Sequence, residues 1–134
     1  MELMGVVMNK TPVLRDYFKD SEFDCNCGKC GKGIADMQPE LLTKLTLARD
    51  LAGVPFVLVS AVRCQDWNRK QGGKPDSAHL RGYAVDIRIN QGSARMAIVR
   101  AALAVGFNRI GIYGSFVHVD CDPKLPAQVM WHGK

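Results

Sequence analysis

Apolar residues recur along this chain with two different periods, and the change from one to the other marks out the elements. Between Gly82 and Ile89, the residues Val85, Ile87 and Ile89 alternate with Ala84, Asp86 and Arg88, which puts the two sets on opposite faces of an extended strand. Phe116 to Asp120 repeats the pattern, with Val117 and Val119 inward and His118 and Asp120 on the other face. Arg109 to Tyr113 and Phe116 to Asp120 read as a hairpin around Gly114-Ser115, and Phe56 to Val59 reads as a buried strand. Helical spacing takes over from about Met37 to Ala52, where Leu41, Leu42, Leu45 and Ala48 form a stripe, Asp36 is the expected N-cap and Gly53 the stop. Met96, Val99, Ala102 and Leu103 predict a second helix, capped by Ser93 and ended by Gly106. A shorter helix opens at Thr11 or Pro12 and runs through Val13, Leu14, Tyr17 and Phe18 to a turn at Asp20-Ser21. Ala61 to Ala78 shows neither period and reads as a long loop containing glycine and lysine, of a length that in compact domains usually builds a site. The expected fold is α+β, a small antiparallel sheet flanked by helices, in a single domain over residues 1–134.

The polar faces of the two patterned strands carry the candidate chemistry. If the strands pair, Asp86, His118 and Asp120 share one surface, and His79, just before Gly82, can reach it. His79, Asp86 and His118 then offer two nitrogens and one oxygen, and three protein ligands with an open fourth position is the arrangement of a catalytic zinc. Asp120 has two candidate roles: to take a proton from attacking water, or to orient a ligating imidazole. Asp122 has the same parity, but Pro123 follows it and the strand is ending.

Arg63 follows the predicted Phe56 to Val59 strand, where its planar fork suits a peptide carboxylate; the alternative is a surface arginine paired with Asp66 or Asp76. Ser77 could bond a substrate carbonyl or close the turn after Pro75-Asp76. Cys25, Cys27 and Cys30 form C-x-C-x-x-C, and with Cys64 they could complete a four-sulfur structural zinc site; free thiols are the alternative. The five cysteines cannot all pair as disulfides, Cys121 is expected beside the histidines, and no histidine is left over to activate a thiol. His132 reads as a tail residue rather than a ligand.

The likeness to a known family rests on these residues. Ser77-Ala78-His79-Leu80-Arg81-Gly82-Tyr83-Ala84-Val85-Asp86 resembles the S-x-H-x-x-G-x-A-x-D signature of the zinc D-alanyl-D-alanine carboxypeptidases and murein endopeptidases, which share a hedgehog-type peptidase fold. Val62-Arg63, Asn68 and Gly72-Gly73 resemble elements that precede that signature, and Ile110-Gly111-Ile112-Tyr113 with Phe116-Val117-His118-Val119-Asp120 is similar to a closing I-G-x-Y…F-x-H-x-D element. The likeness spans about residues 60–120 and is weaker before Pro55. It implies Zn2+ on His79, Asp86 and His118, substrate contact by Arg63, and peptidoglycan stem peptides as substrate. One departure concerns mechanism. Many members carry an acidic residue or histidine as general base shortly before the last ligand, where this chain has Gly114, Ser115, Phe116 and Val117. A catalytically silent zinc-stabilised module, cell-wall-binding or structural in a virion, is therefore the alternative to an enzyme.

Composition changes the picture little. Lysine and arginine total 18 against 13 acidic residues, for a net charge of +5. This favours anionic partners such as wall polymers, while the scattered basic residues and ten unclustered aromatics give nucleic-acid binding no support. Leu3 to Met8 is apolar but follows Glu2 and lacks a cleavage motif, so no signal peptide is expected, and no apolar run is long enough to span a bilayer. The expectation is a monomer made in the cytoplasm that acts at the cell wall after release, as phage endolysins do, or that is carried on a virion.

Overall fold

The computed structural model describes residues 17–133. Most of the helix expected from Thr11 or Pro12 lies outside them; of its described residues, Tyr17 is in a turn and Phe18 has no regular structure. A 3-10 turn over Asp20–Phe23 follows, and Phe18 and Phe23 pack edge to face in the core at 5.8 Å between ring centroids.

Helix α1 spans Pro39–Ala52 and ends at Gly53, whose φ of 68° is the left-handed closure that glycine allows. Its start departs from expectation. Pro39 disfavours helical backbone at the residue before it, so Gln38 is extended and the helix begins at the proline. Asp36 instead ends a 3-10 turn over Ile34–Asp36, and its carboxylate accepts from Gly33 N at 3.0 Å. Leu41, Leu45 and Ala48 are buried as the stripe predicts.

Strand β1, Leu58–Ser60, is half-buried rather than the buried Phe56 to Val59 strand expected, because β2 pairs with one side of it only. Helix α2, Gln65–Lys70, occupies the segment read as a loop; the Cys64 thiol caps it by accepting from Trp67 N at 3.4 Å. Strand β2, Ala84–Arg88, leads to helix α3, Gly92–Val105, which starts after an extended Gln91 with no side-chain cap, so Ser93 lies inside the helix rather than at its cap. The buried face of α3 is Ile98, Ala101 and Ala102, whereas Met96 and Leu103 of the expected stripe are exposed. The run of small and apolar residues here permits two adjacent stripes, and packing against α1 selects one.

Strands β3, Arg109–Ile112, and β4, Phe116–Asp120, form the expected hairpin, and β5, Val129–His132, is an element the sequence pattern missed. The sheet order is β1-β2-β4-β3-β5, antiparallel throughout except for the β3 and β5 pair. The fold is thus α+β, as expected. Val85, Ile87, Ile110, Val117 and Val119 join Leu41, Leu45, Ile98 and Ala102 in one core. Cys121 continues the inward parity and enters that core, so it does not flank the histidines; burial pushes its thiol up to about 12. Among the described residues no helix is long and apolar enough to cross a membrane.

Candidate metal centre

The strand register sets two of the three ligands face to face. On β2 and β4, Asp86 lies directly opposite His118, Ala84 opposite Asp120, and Val85 opposite Val119. The apolar parity buries the valines, and this fixes the polar residues on the other face. His79 arrives from a 3-10 turn, Ala78–Arg81, that opens with the Ser77 hydroxyl accepting from His79 N at 3.2 Å. Gly82 closes that turn at φ 76°, and a Cβ there would lie 2.1 Å from the Asp36 carbonyl oxygen, so only glycine lets the turn sit on the chain before α1. Gln38 clamps the same junction, donating from its backbone to Gly82 O and from its side chain to Arg81 O, at 3.0 Å each.

The tautomer of His79 follows from its neighbours. Its Nδ1 lies 2.7 Å from the carbonyl of Ala61 and must be the N–H that donates to it, which leaves Nε2 with a lone pair. That atom is buried, 3.2 Å from Asp86 Oδ2, and has no hydrogen-bond partner. Burial lowers the His79 pKa, so the ring stays neutral despite the pull of Asp86. An orphaned lone pair beside a carboxylate is costly unless something electrophilic sits between them.

His118 Nδ1 is 2.9 Å from Asp86 Oδ1, and its Nε2 is 2.6 Å from Asp120 Oδ2. Burial works against protonation of His118, but the hydrogen bonds it donates to Asp120 and Asp86 outweigh it and raise its pKa to about 8. Burial pushes the Asp86 carboxyl up in turn, and the two imidazoles overcome this and hold it well below the usual carboxylate range. Ligand atoms of His79, Asp86 and His118 all lie within 4.8 Å of one another. About 3.3 Å is the spacing of nitrogen and oxygen donors around a tetrahedral zinc. The donor set and the orphaned His79 Nε2 therefore fit zinc.

Both oxygens of Asp120 are engaged: Oδ2 by the His118 hydrogen bond, and Oδ1 by an ion pair with Arg109 Nε at 2.9 Å, which is not aligned as a hydrogen bond, and by the N–H of Asp122 at 3.2 Å. Arg63 pairs with neither Asp66 nor Asp76. Its Nε donates to Ser60 Oγ at 3.0 Å, its Nη1 to Asn68 Oδ1 at 3.1 Å, and its Nη2 to Asp86 Oδ2 at 3.4 Å. Buried Asn68 is held by Lys74 O at 2.9 Å, and Gly73 must be glycine because a Cβ there would lie 2.1 Å from Asn68 Oδ1. Asp66 pairs with Arg69, while Arg81 bridges Asp76 and Asp122, 2.6 Å from each.

The site opens into a cavity of about 820 Å³, whose walls include Arg63, Lys74, Tyr113, Met130 and Trp131. Strand β5 supplies Trp131, whose ring centroid is 5.4 Å from that of His118 and whose Nε1 donates to Tyr113 Oη at 2.9 Å. A Cβ on Gly111 would come within 2.7 Å of that indole. Gly111 inside a strand pattern was thus the one sequence sign of β5. His132 also lies on this strand, opposite Ile112, rather than in a loose tail.

Two imidazoles and a carboxylate, His118 and Asp86 from the sheet and His79 from the turn beside it, meet at the wall of an open cleft and make a candidate metal centre. Residues 16–122 match the Peptidase M15 family, and the chain belongs to it: a family of zinc-dependent peptidases. No curated protein matches the chain. The matched span holds His79, Asp86, His118, Asp120 and Arg63 and stops short of β5 and its Trp131.

Proposed function

We propose that the protein hydrolyses peptide bonds in peptidoglycan stem peptides, as a D-Ala-D-Ala carboxypeptidase or a murein endopeptidase. The observation that carries this reading is the meeting of His79 Nε2, Asp86 and His118 Nδ1 at the wall of a cleft that also presents Arg63. These three side chains would hold the zinc. When bound there, zinc supplies Lewis acidity towards a peptide carbonyl and towards water.

The chain's own residues do the rest. Ala61 O keeps His79 in the tautomer with Nε2 free, and Asp120 does the same for His118 by accepting from Nε2, which leaves Nδ1 facing Asp86. With Oδ1 taken by Arg109 and Asp122 N, Asp120 acts as the orienting carboxylate of the site. Arg63 has five N–H donors, of which Ser60, Asn68 and Asp86 take one each, so two remain for a substrate carboxylate or carbonyl. Ser77 caps the His79 turn, and that is its contribution. Lys74 and Arg63 place two cations on the cleft wall for the carboxylates of stem peptides, although Asp76, Asp86 and Asp120 line the same cleft. The setting we propose is the cell wall, reached after release as an endolysin or on a virion.

Zinc-loaded protein is incubated with purified muropeptides and the products are weighed by mass spectrometry. Loss of one terminal D-alanine identifies a carboxypeptidase, and cleavage of cross-links an endopeptidase. Intact muropeptides with the protein fully zinc-loaded would refute the enzyme and leave the silent binding module, which the absence of an acid or histidine from Gly114 to Val117 favours.

A further inference from the structure

A second cluster of ligand chemistry lies behind Arg63. Cys25, Cys27 and Cys30 come from one loop and Cys64 from the turn between β1 and α2, and their four sulfurs lie within 4.8 Å of one another. Gly28 and Gly31, at φ 75° and 80°, turn the chain on either side of Cys30 so that the loop sulfurs converge. Every sulfur accepts a backbone N–H. Cys27 Sγ accepts from Lys29 and Cys30, at 3.4 and 3.2 Å, and Cys30 Sγ from Lys32 at 3.4 Å. Cys25 Sγ accepts from Cys64 N, and Cys64 Sγ from Trp67 N, each at 3.4 Å. Four converging sulfurs, each met by a backbone N–H, present the closed four-cysteine donor set of a structural zinc site. None of the four forms a disulfide. Zinc–sulfur bonds of about 2.3 Å set tetrahedral sulfurs about 3.8 Å apart, so closure needs a contraction of at most about 1 Å.

We infer that Cys25, Cys27, Cys30 and Cys64 bind a structural zinc ion, closed by four sulfurs and separate from the histidine and aspartate centre. Its place in the fold gives it work. Asn26 donates to Val59 O on β1 at 3.0 Å, and Arg63, next to Cys64, donates its backbone N–H to His79 O at 3.0 Å. A metal at the thiols would tie the loop to the end of β1 and hold the Arg63 backbone against the His79 turn.

The test is the metal content of the whole chain, in the parent and in two double variants. The parent should hold about two zinc ions, His79→Ala with His118→Ala about one, and Cys27→Ser with Cys30→Ser should lose the other. After cobalt exchange, the histidine variant should keep an intense thiolate-to-cobalt charge-transfer band. If the cysteine variant does not fold, titrating the histidine variant with an organomercurial, with a zinc-sensitive dye present, should release one zinc as the thiols react. A histidine variant that carries no metal, iron in place of zinc, or thiols that titrate without releasing zinc would each overturn the inference. None of these outcomes depends on peptidase activity, so this site and the proposed enzyme can fail separately.

Discussion

Replacing Asp120 with asparagine separates the two roles a carboxylate can play beside His118. In the native site Oδ2 accepts from His118 Nε2 at 2.6 Å, while Oδ1 faces the Arg109 guanidinium and Asp122 N. Asparagine offers one acceptor and one donor to these partners. With its oxygen towards His118, the amide NH2 confronts Arg109 and Asp122 N. With its oxygen towards Arg109, the NH2 donates to Nε2 and forces the proton onto Nδ1, the nitrogen needed for metal. Either way a charge-assisted hydrogen bond of about 1.5–3 kcal/mol is weakened. That agrees with the 10- to 100-fold loss of metal affinity, about 1.4–2.8 kcal/mol, expected when the partner of a ligating histidine is removed. Zinc affinity is measured by competition with a chelating dye, and activity over a range of free zinc, with circular dichroism confirming the fold. Zinc affinity should fall by that factor, and activity should return when zinc is in excess. Native zinc affinity, with activity down on the order of 10² to 10⁴ and unrescued by zinc, would instead make Asp120 the general base and refute the orienting role.

Arg63→Lys keeps the charge, but one ammonium cannot serve Ser60, Asn68, Asp86 and a substrate together; kcat/KM should fall roughly 10- to 100-fold with zinc content unchanged, and full activity would remove Arg63 from substrate binding. Because the His118 pKa is raised to about 8, its paired cation stabilises the metal-free fold fully below the unfolded value of about 6.5, and that contribution is lost as pH rises through about 8. Zinc must displace that proton from Nδ1 while neutral His79 gives up none, so apparent zinc affinity should rise about tenfold per pH unit up to about pH 8 and then level off; a flat profile from pH 6 to 8 would contradict the assignment of Nδ1.

The parts of this molecule legible in its sequence are those in which burial enforces a period. Alternation in β2 and β4 was enough to place Asp86, His118 and Asp120 on one face, because Val85, Ile87, Val117 and Val119 have nowhere else to go. The stops at Gly53 and Gly106 were legible because left-handed closure needs glycine. Helix starts were not. Gln38 precedes α1 because Pro39 restricts it and because its amide is used on the His79 turn, a contact between residues far apart in the chain. Helix α2 is six residues long, too short to show a stripe, and β5 is an exposed edge strand whose apolar residues mostly face solvent or the cleft. The engagement of Arg63 with Asp86 and of Asp120 with Arg109 depends on tertiary distances that no local pattern encodes.

The shared register of β2 and β4 also protects against assembly errors. A slip of one residue between these strands would bring His118 and Asp120 to face the core and expose Val117 and Val119, while also separating His118 from Asp86. The core therefore proofreads the metal site: misaligned chains bury charge and lose hydrophobic contact before any metal is met. A chain that has folded has, by the same step, set His118 against Asp86, and the Gln38 clamp and the Arg63 N–H bring the His79 turn to them.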